Sequence, residues 1–249
     1  MIGTELLDDP GADPTVVAAH LRDIARLNAW LGGTRAVVGA LEPFFRQVKG
    51  ERQGKGEEGR GKGTTTWTLV DVGTGAGDIP RAVAAAARRH GIGLTLIGVE
   101  RIRAAARLAQ SGGGLHAVIG DGSALPFAPG AVDIVIASQV LHHLPRDTAM
   151  RWIGVLDRLA RRAVVLADLR PSRLAMAALR LAGAVLGIGR VTRRDGVVSL
   201  RRGYTRGQLD ALLADAGVHA RAHVRRWSRV VAAWRPGPQG GFRLDAHRR

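Results

Sequence analysis

The sequence predicts an α/β fold, a parallel sheet covered by helices on both faces, and three observations predict it. From Trp67 onward, short apolar runs alternate with helical segments, which is how strand–helix–strand units read. The runs WTLVDV, LTLIGV and VDIVIA are apolar almost throughout rather than at every second residue, so each strand is expected to be covered on both faces. Glycines and acidic residues stand at the carboxyl ends of successive runs, where open parallel sheets hold their ligands.

Length and composition agree. A chain of 249 residues, 46% hydrophobic and 23% charged, suits one α/β domain with additions or at most two small domains. It has no cysteine, which excludes disulfides, thiolate metal sites, iron–sulfur clusters and a Cys nucleophile. The opening MIGTELLDDP is acidic and lacks an apolar centre, unlike a signal peptide. The longest near-apolar run, Leu174–Gly189, contains Arg180 and is too short to span a bilayer. A soluble cytoplasmic protein is expected.

The first 48 residues read as a helical cap. Asp13-Pro14 starts a helix carrying Val17, Leu21, Ile24, Leu27 and Leu31, stopped by Gly32-Gly33. A second helix from Thr34 carries Val37, Leu41, Phe44 or Phe45, and Val48. Residues 49–66 are Gly-rich with mixed charge and read as a flexible loop. The domain of alternating strands and helices then occupies 67–235. Its strands are WTLVDV, 94–99, 116–120, 132–137 and 163–168, and its helices are 78–90, 102–110 and 147–159.

Within it, about 171–204 reads as a lid insertion, with a helix over 174–186 and irregular chain over 187–204. Thr205 and Gln208 form a capping box for a helix carrying Leu209, Leu212 and Leu213. Two β-like runs follow, around His219–Trp227 and Arg229–Trp234. A tail over 236–249, rich in Gly, Pro and Arg, is expected to be disordered.

The strongest motif is LVDVGTGAGD over 69–78, a buried strand entering three alternate glycines and then a helix N-terminus. Such glycines let backbone pass close beneath a ligand. The spacing is G-x-G-x-G rather than the dinucleotide G-x-G-x-x-G, and Asp71 precedes the first glycine. A carboxylate there suits a ligand with ammonium and sulfonium groups better than a pyrophosphate. Glu100 ends the second strand, where an acid can accept both hydroxyls of a ribose. Asp121-Gly122-Ser123 follows the third, where a carboxylate can accept from an adenine amine.

With these residues, VDVGTGAGD, GVE and GDGSALPFAPGAVDIVIASQVLHHL together resemble the class I S-adenosylmethionine-dependent methyltransferases, in their broad small-molecule branch. The resemblance covers about residues 67–168. It implies a Rossmann-like, seven-stranded, mostly parallel sheet whose final strand is antiparallel, and S-adenosylmethionine as cofactor. It places Asp71, Gly73, Gly75 and Gly77, with Thr74, at the methionine moiety. Glu100, with Arg101 beside it, falls at the ribose, Asp121 and Gly122 at the adenine, and Ser138 on the cofactor's border. Glu replaces the commoner Asp at 100, and Val132 stands where the family usually has Phe. LRDIARLNAWLGG, ADLRPSRLA and RRDGVVSLRRGYTRGQL resemble cap and lid segments of a bacterial subset, which would bring Asn28 and Arg35 to the cofactor's carboxylate. No metal is implied.

Methyl transfer is an in-line displacement that needs alignment and exclusion of water. An acceptor hydroxyl also needs its proton removed, for which His142, or else His143, follows the fourth strand on the crevice side. The expected acceptor is a small, lipophilic, phenolic or quinone-like metabolite, methylated on O or C.

The chain carries 37 Lys+Arg against 21 Asp+Glu, a formal net charge of +16. Only three of these cations are lysine, so part of the excess fits biased codon usage. Residues 171–249 hold 16 Arg against four acids, whereas residues 1–170 hold 21 basic and 17 acidic groups. An apolar helix beside these arginines suits contact with an anionic membrane, and equally a core helix followed by a solvated loop. A rival reading is an RNA methyltransferase. Against nucleic acid stand an aromatic content of 4%, a single Tyr, and Ser138-Gln139-Val140-Leu141 where an Asn-Pro-Pro-aromatic motif would stand. The glycine loop would also serve a catalytically silent S-adenosylmethionine-binding protein or, less closely, a nicotinamide-dependent oxidoreductase. No sequence feature sets an oligomeric state.

Overall fold

The computed structural model describes residues 4–54 and 65–237. Strands β1 (Thr65–Val72), β2 (Ile92–Glu100), β3 (His116–Ile119), β4 (Val132–Ser138), β5 (Ala160–Leu169), β6 (Ala222–Arg225) and β7 (Arg229–Trp234) form one sheet. Their order is β3-β2-β1-β4-β5-β7-β6. The first five pair in parallel, and β7 runs antiparallel to both β5 and β6. The seven-stranded, mostly parallel α/β sheet expected from the sequence is therefore present, and the two closing β runs are its edge hairpin.

Why the strands read as unbroken apolar runs follows from the layers. Successive side chains of a strand point to opposite faces, and here each face meets helices. On one face Val70, Val135 and Val164 pack with Ile153 and Leu156 of α5 (Arg146–Leu159) and Leu209 and Leu212 of α8 (Arg206–Asp215). On the other, Leu69, Ile134 and Val165 meet α2 (Gly33–Gly54) through Val37, Leu41 and Phe45, and α3 (Asp78–Arg88) through Val83.

The predicted cap divides in two. Helix α1 (Pro14–Trp30) starts where expected, with the Asp13 carboxylate accepting from the Thr15 and Val16 amides. It packs Val17 and Leu21 against Ile102 and Ala105 at the start of α4 (Arg103–Ser111). Helix α2 belongs to the sheet layers instead. It continues to Gly54, past residue 48 where composition placed the end of the cap and the start of a loop. β1 begins at Thr65. Residues 55–64 of the expected loop and 238–249 of the expected tail lie outside the described residues.

The segment expected as a lid insertion holds a pair of helices, α6 (Arg173–Val185) and α7 (Arg190–Arg202). The expectation of irregular chain over 187–204 is corrected by α7. Its inward face includes buried Thr192, Asp195 and Ser199, polar residues at helical spacing that an apolar periodicity does not register. Their partners lie far away in sequence. Thr192 Oγ1 bonds His20 Nδ1 at 2.9 Å, the Asp195 carboxylate accepts from the Leu6 amide at 2.7 Å, and Ser199 Oγ donates to Glu5 Oε2 at 2.6 Å. The segment before α1 is thus fastened along α7.

Candidate active site

Strand order reverses between β1 and β4, and the carboxyl ends of strands flanking such a point leave a crevice. A cavity of about 440 Å³ lies there, lined by the ends of β1, β2 and β4 and by residues of α1, α6 and α7. Small-molecule sites fall in this size range, roughly 300–1,000 Å³.

Between β1 and α3 the chain turns through Gly73 (φ +75°), Gly75 (φ +55°) and Gly77 (φ +72°), the left-handed region that glycine tolerates. A Cβ on Gly73 would lie 2.4 Å from Val140 Cγ2, and one on Gly75 would lie 3.3 Å from Leu21 Cδ2. Gly73, Thr74 and Gly75 line the cavity. Gly77 does not. It is the N-cap of α3, and its amide donates to the Thr74 carbonyl at 2.8 Å, so its part is to shape the turn.

Asp71 ends the strand beneath this turn, 2% exposed, and its carboxylate accepts from Thr74 Oγ1 at 2.8 Å. Burial pushes its pKa up to about 7, and the charges of Asp78 and Glu100 add to the rise against the Thr74 bond. Glu100 lines the cavity and accepts from the Gly75, Arg101 and Ile102 amides at 3.1, 2.9 and 3.2 Å, latching the glycine turn to the end of β2. Arg101 also lines it while its guanidinium donates to the Leu7 carbonyl at 3.1 Å.

Asp121, Gly122 and Ser138 complete the predicted set on the same wall. The Ser123 amide bonds Asp121 at 3.0 Å and holds its carboxyl below the usual range. A Cβ on Gly122 would lie 2.7 Å from Val72 Cγ1. All ten predicted cofactor residues except Gly77 therefore line one cavity, although they come from four separate segments.

His142 and His143 sit in a short 3-10 turn, Leu141–His143, and both line the cavity. His142 Nδ1 lies 2.7 Å from Asp168 Oδ1, and its backbone amide donates to Asp168 Oδ2 at 3.0 Å. Burial alone would lower the His142 pKa, but Asp168 and the Glu5 charge outweigh it and hold it above the usual value. Asp168, despite its own burial, is held below the usual carboxylate range by His142. His143 Nδ1 lies 2.8 Å from Asp8 Oδ1, and burial, with His142 beside it, holds His143 below the usual value.

Asn28 also lines the cavity, but Arg35 is on α2 and does not. The arginine that meets Asn28 in the cavity wall is instead Arg229 at the start of β7, 5% exposed, whose Nη2 donates to Asn28 Oδ1 at 3.3 Å. Its Nε has no hydrogen-bond partner among the described residues. Burial lowers the Arg229 pKa to about 10. Gln139, at φ +60°, donates to the same Asn28 oxygen at 2.8 Å.

Glu5, Asp8, Asp168 and Arg229 are site residues that the sequence did not single out. Asp168 had a legible signal, an acid at a strand's carboxyl end like Glu100. Arg229 heads an otherwise apolar run, a weaker sign. Glu5 and Asp8 had none, because nothing local marks a residue that reaches the site from the chain's first turn.

Residues 70–167 match a family model described as a methyltransferase domain. A protein of Mycobacterium marinum (strain ATCC BAA-535 / M), described as an uncharacterized methyltransferase, is 42% identical over 90 residues, which are 35% of this chain and 33% of that protein. One from Mycobacterium ulcerans (strain Agy99), described in the same words, is 41% identical over 90 residues with the same shares. The match thus spans about a third of the length of these curated relatives. Among solved structures, human N-acetylserotonin methyltransferase in complex with SAM is similar with a TM-score of 0.59 at 12% identity, over 91% of this chain and 57% of that one. A SAM-dependent methyltransferase from Aquifex aeolicus is similar with a TM-score of 0.50 at 15% identity, over 69% and 84%. At such identities the structural likeness concerns the fold.

Proposed function

We propose, from the premise that residues 70–167 are a methyltransferase domain of the class I S-adenosylmethionine-dependent kind, that this protein methylates a small lipophilic metabolite. The observation that carries this reading is the convergence of Asp71, the Gly73–Gly75 turn, Glu100 and Asp121 on one cavity. The donor set fits the cofactor. Asp71 offers a buried carboxylate to its cationic end, the glycines leave room for close approach, and Glu100 and Asp121 offer acceptors to ribose and adenine. Arg229 and Asn28 supply donors for its carboxylate. When bound, the cofactor supplies a methyl group on a sulfonium, already activated for displacement.

The protein's work is alignment. Leu21, Ile24, Leu27, Leu31, Leu179 and Leu200 line the cavity on the helical side and suit an apolar ring. For a hydroxyl acceptor, the O–H bond is lost, an O–CH₃ bond forms and the sulfonium C–S bond breaks, leaving a thioether and one proton. That proton leaves at the cluster around His142, which Asp168 orients. Transfer of labelled methyl from S-adenosylmethionine into a cell extract, followed by solvent partition and mass identification, tests the reading. Label in an organic-soluble metabolite supports it. Label in RNA overturns the acceptor class, and cofactor binding without any labelled product overturns the activity.

The same reading places the acceptor's source at an anionic bilayer. Leu174, Leu181 and Val185 of α6 are 80%, 75% and 88% exposed, so these apolar residues are not core. Arg180, Arg190, Arg193, Arg194 and Arg201 line one basic depression between α6 and α7. Apolar side chains beside arginines match an interfacial membrane surface. Co-sedimentation should be strong with phosphatidylglycerol vesicles and weak with phosphatidylcholine, and equal binding to both would defeat this placement.

A further inference from the structure

The Nε2 atoms of His142 and His143 and the Glu5 carboxylate converge on one point. His142 Nε2 is 3.8 Å from Glu5 Oε1, and His143 Nε2 is 3.8 Å from Glu5 Oε2. All three potential donor atoms lie within 4.8 Å of one another. The contacts are too long for hydrogen bonds. The His142 side chain is 1% exposed, and its Nε2 has no hydrogen-bond partner among the described residues.

The second ring nitrogens explain which way the lone pairs point. Each Nδ1 meets a carboxylate, Asp168 at 2.7 Å for His142 and Asp8 at 2.8 Å for His143. An ionised carboxylate only accepts, so each Nδ1 carries hydrogen and each neutral ring turns its Nε2 lone pair toward Glu5. A histidine whose outer nitrogen donates to a carboxylate while the inner one faces a shared point is the arrangement found around protein-bound metals.

We propose that Glu5, His142 and His143 bind one divalent first-row transition-metal ion in the wall of the cofactor cavity. Two imidazoles and one carboxylate, without thiolate, are the donor class for zinc, cobalt, manganese or ferrous iron. Tetrahedral ligands at about 2.1 Å from an ion stand about 3.4 Å apart, so the two 3.8 Å contacts close by a few tenths of an ångström on binding and any wider pair within the 4.8 Å set by up to about 1.4 Å. Ser199 Oγ at 2.6 Å and Arg202 Nη1 at 3.3 Å hold that carboxylate in place.

Three protein ligands leave positions open, the mark of a working site rather than a structural one. This inference rests on the methyltransferase reading and narrows its acceptor to one that can bind a metal through a hydroxyl oxygen, such as a catechol or hydroxyquinone. Bound there, the hydroxyl loses its proton to water at a lower pH than when free, and His142 acts as a ligand in place of taking that proton itself. The oxygen then takes the methyl group as the C–S bond breaks, and the ion keeps its oxidation state.

The test uses the full chain, freed of metal with a chelator and titrated with cobalt(II) alone. Visible ligand-field absorption and elemental analysis should give one ion per chain. Glu5→Gln, His142→Gln and His143→Gln should each weaken binding by roughly 100-fold, and Asp168→Asn by about 10–100-fold. Circular dichroism and calorimetry with S-adenosylmethionine on the same variants show whether the fold and the cofactor site persist. No saturable binding, or binding unchanged in all three ligand variants, overturns the proposal. Intact cobalt binding in a protein with no affinity for S-adenosylmethionine would instead overturn the reading on which it rests.

Discussion

In the proposed function Asp71 links folding, pH and cofactor binding, and its replacement by asparagine separates them. The carboxyl is buried and its pKa is raised from 3.8 to about 7. Folding therefore strengthens proton binding at Asp71, so its contribution to stability is fully present below about pH 4 and is lost as pH rises through about 7. That difference corresponds to about 4 kcal/mol in full, or about 1.4 kcal/mol per pH unit between pH 5 and 7. The carboxamide would keep an oxygen for the Thr74 hydroxyl but has no proton to lose. Urea unfolding of both proteins without cofactor, followed through the five tryptophans, should show Asp71→Asn gaining on the parent steadily from pH 5 to 8. At pH 8 the variant should be more stable and yet bind S-adenosylmethionine more weakly, since the ligand's positive charges have lost their partner. A stability difference that does not change with pH would refute the argument, because it would mean that Asp71 is ionised in the folded protein throughout.

Other perturbations test separate links. Gly73→Ala should destabilise by about 1–3 kcal/mol, from the left-handed backbone and from the contact with Val140; combining it with Val140→Ala should recover part of the thermal stability, and purely additive losses would contradict the collision. Arg229→Gln should raise the S-adenosylmethionine Kd by roughly 10–100-fold, as expected for lost hydrogen bonds to a charged group, whereas Arg35→Gln should leave it unchanged in calorimetry. Asp133 is 4% exposed and accepts from the Thr68 amide at 3.0 Å and from Arg161 and Arg162 at 2.7 Å. Asp133→Ala should cost about 1–3 kcal/mol in urea unfolding by removing a buried acceptor shared by the half-buried Thr68 amide and two arginines. Leu181→Glu with Val185→Glu should alter stability by less than about 0.5 kcal/mol, as exposed positions do, while releasing the protein from phosphatidylglycerol vesicles.

How far the sequence reaches is clearest by comparing α3 with α7. Helix α3 follows a strand and a glycine turn, and its apolar residues recur at helical spacing, so its start and its role are written locally. Helix α7 turns Thr192, Asp195 and Ser199 inward, and these become favourable interior residues only when His20, Leu6 and Glu5 arrive from the other end of the chain. The same contrast separates Glu100, whose position at a strand end announces a site, from Glu5.

The sequence by itself determined the sheet, its covering helices and the residues from Asp71 to Ser138 that gather on one cavity wall, because period, turn chemistry and strand-end acids are encoded in stretches of a few residues. It also showed that most of the excess charge lies in the last third of the chain. Only the tertiary structure decided what else gathers around the cavity and on the outer face of α6. Arg229 rather than Arg35 faces the site, Glu5 meets two histidines more than a hundred residues away, and away from the cavity the apolar residues Leu174, Leu181 and Val185 lie on the surface. Those facts depend on burial and on pairing between distant segments, which exist only once α7, the edge hairpin and the Leu6–Asp8 turn have packed on one another.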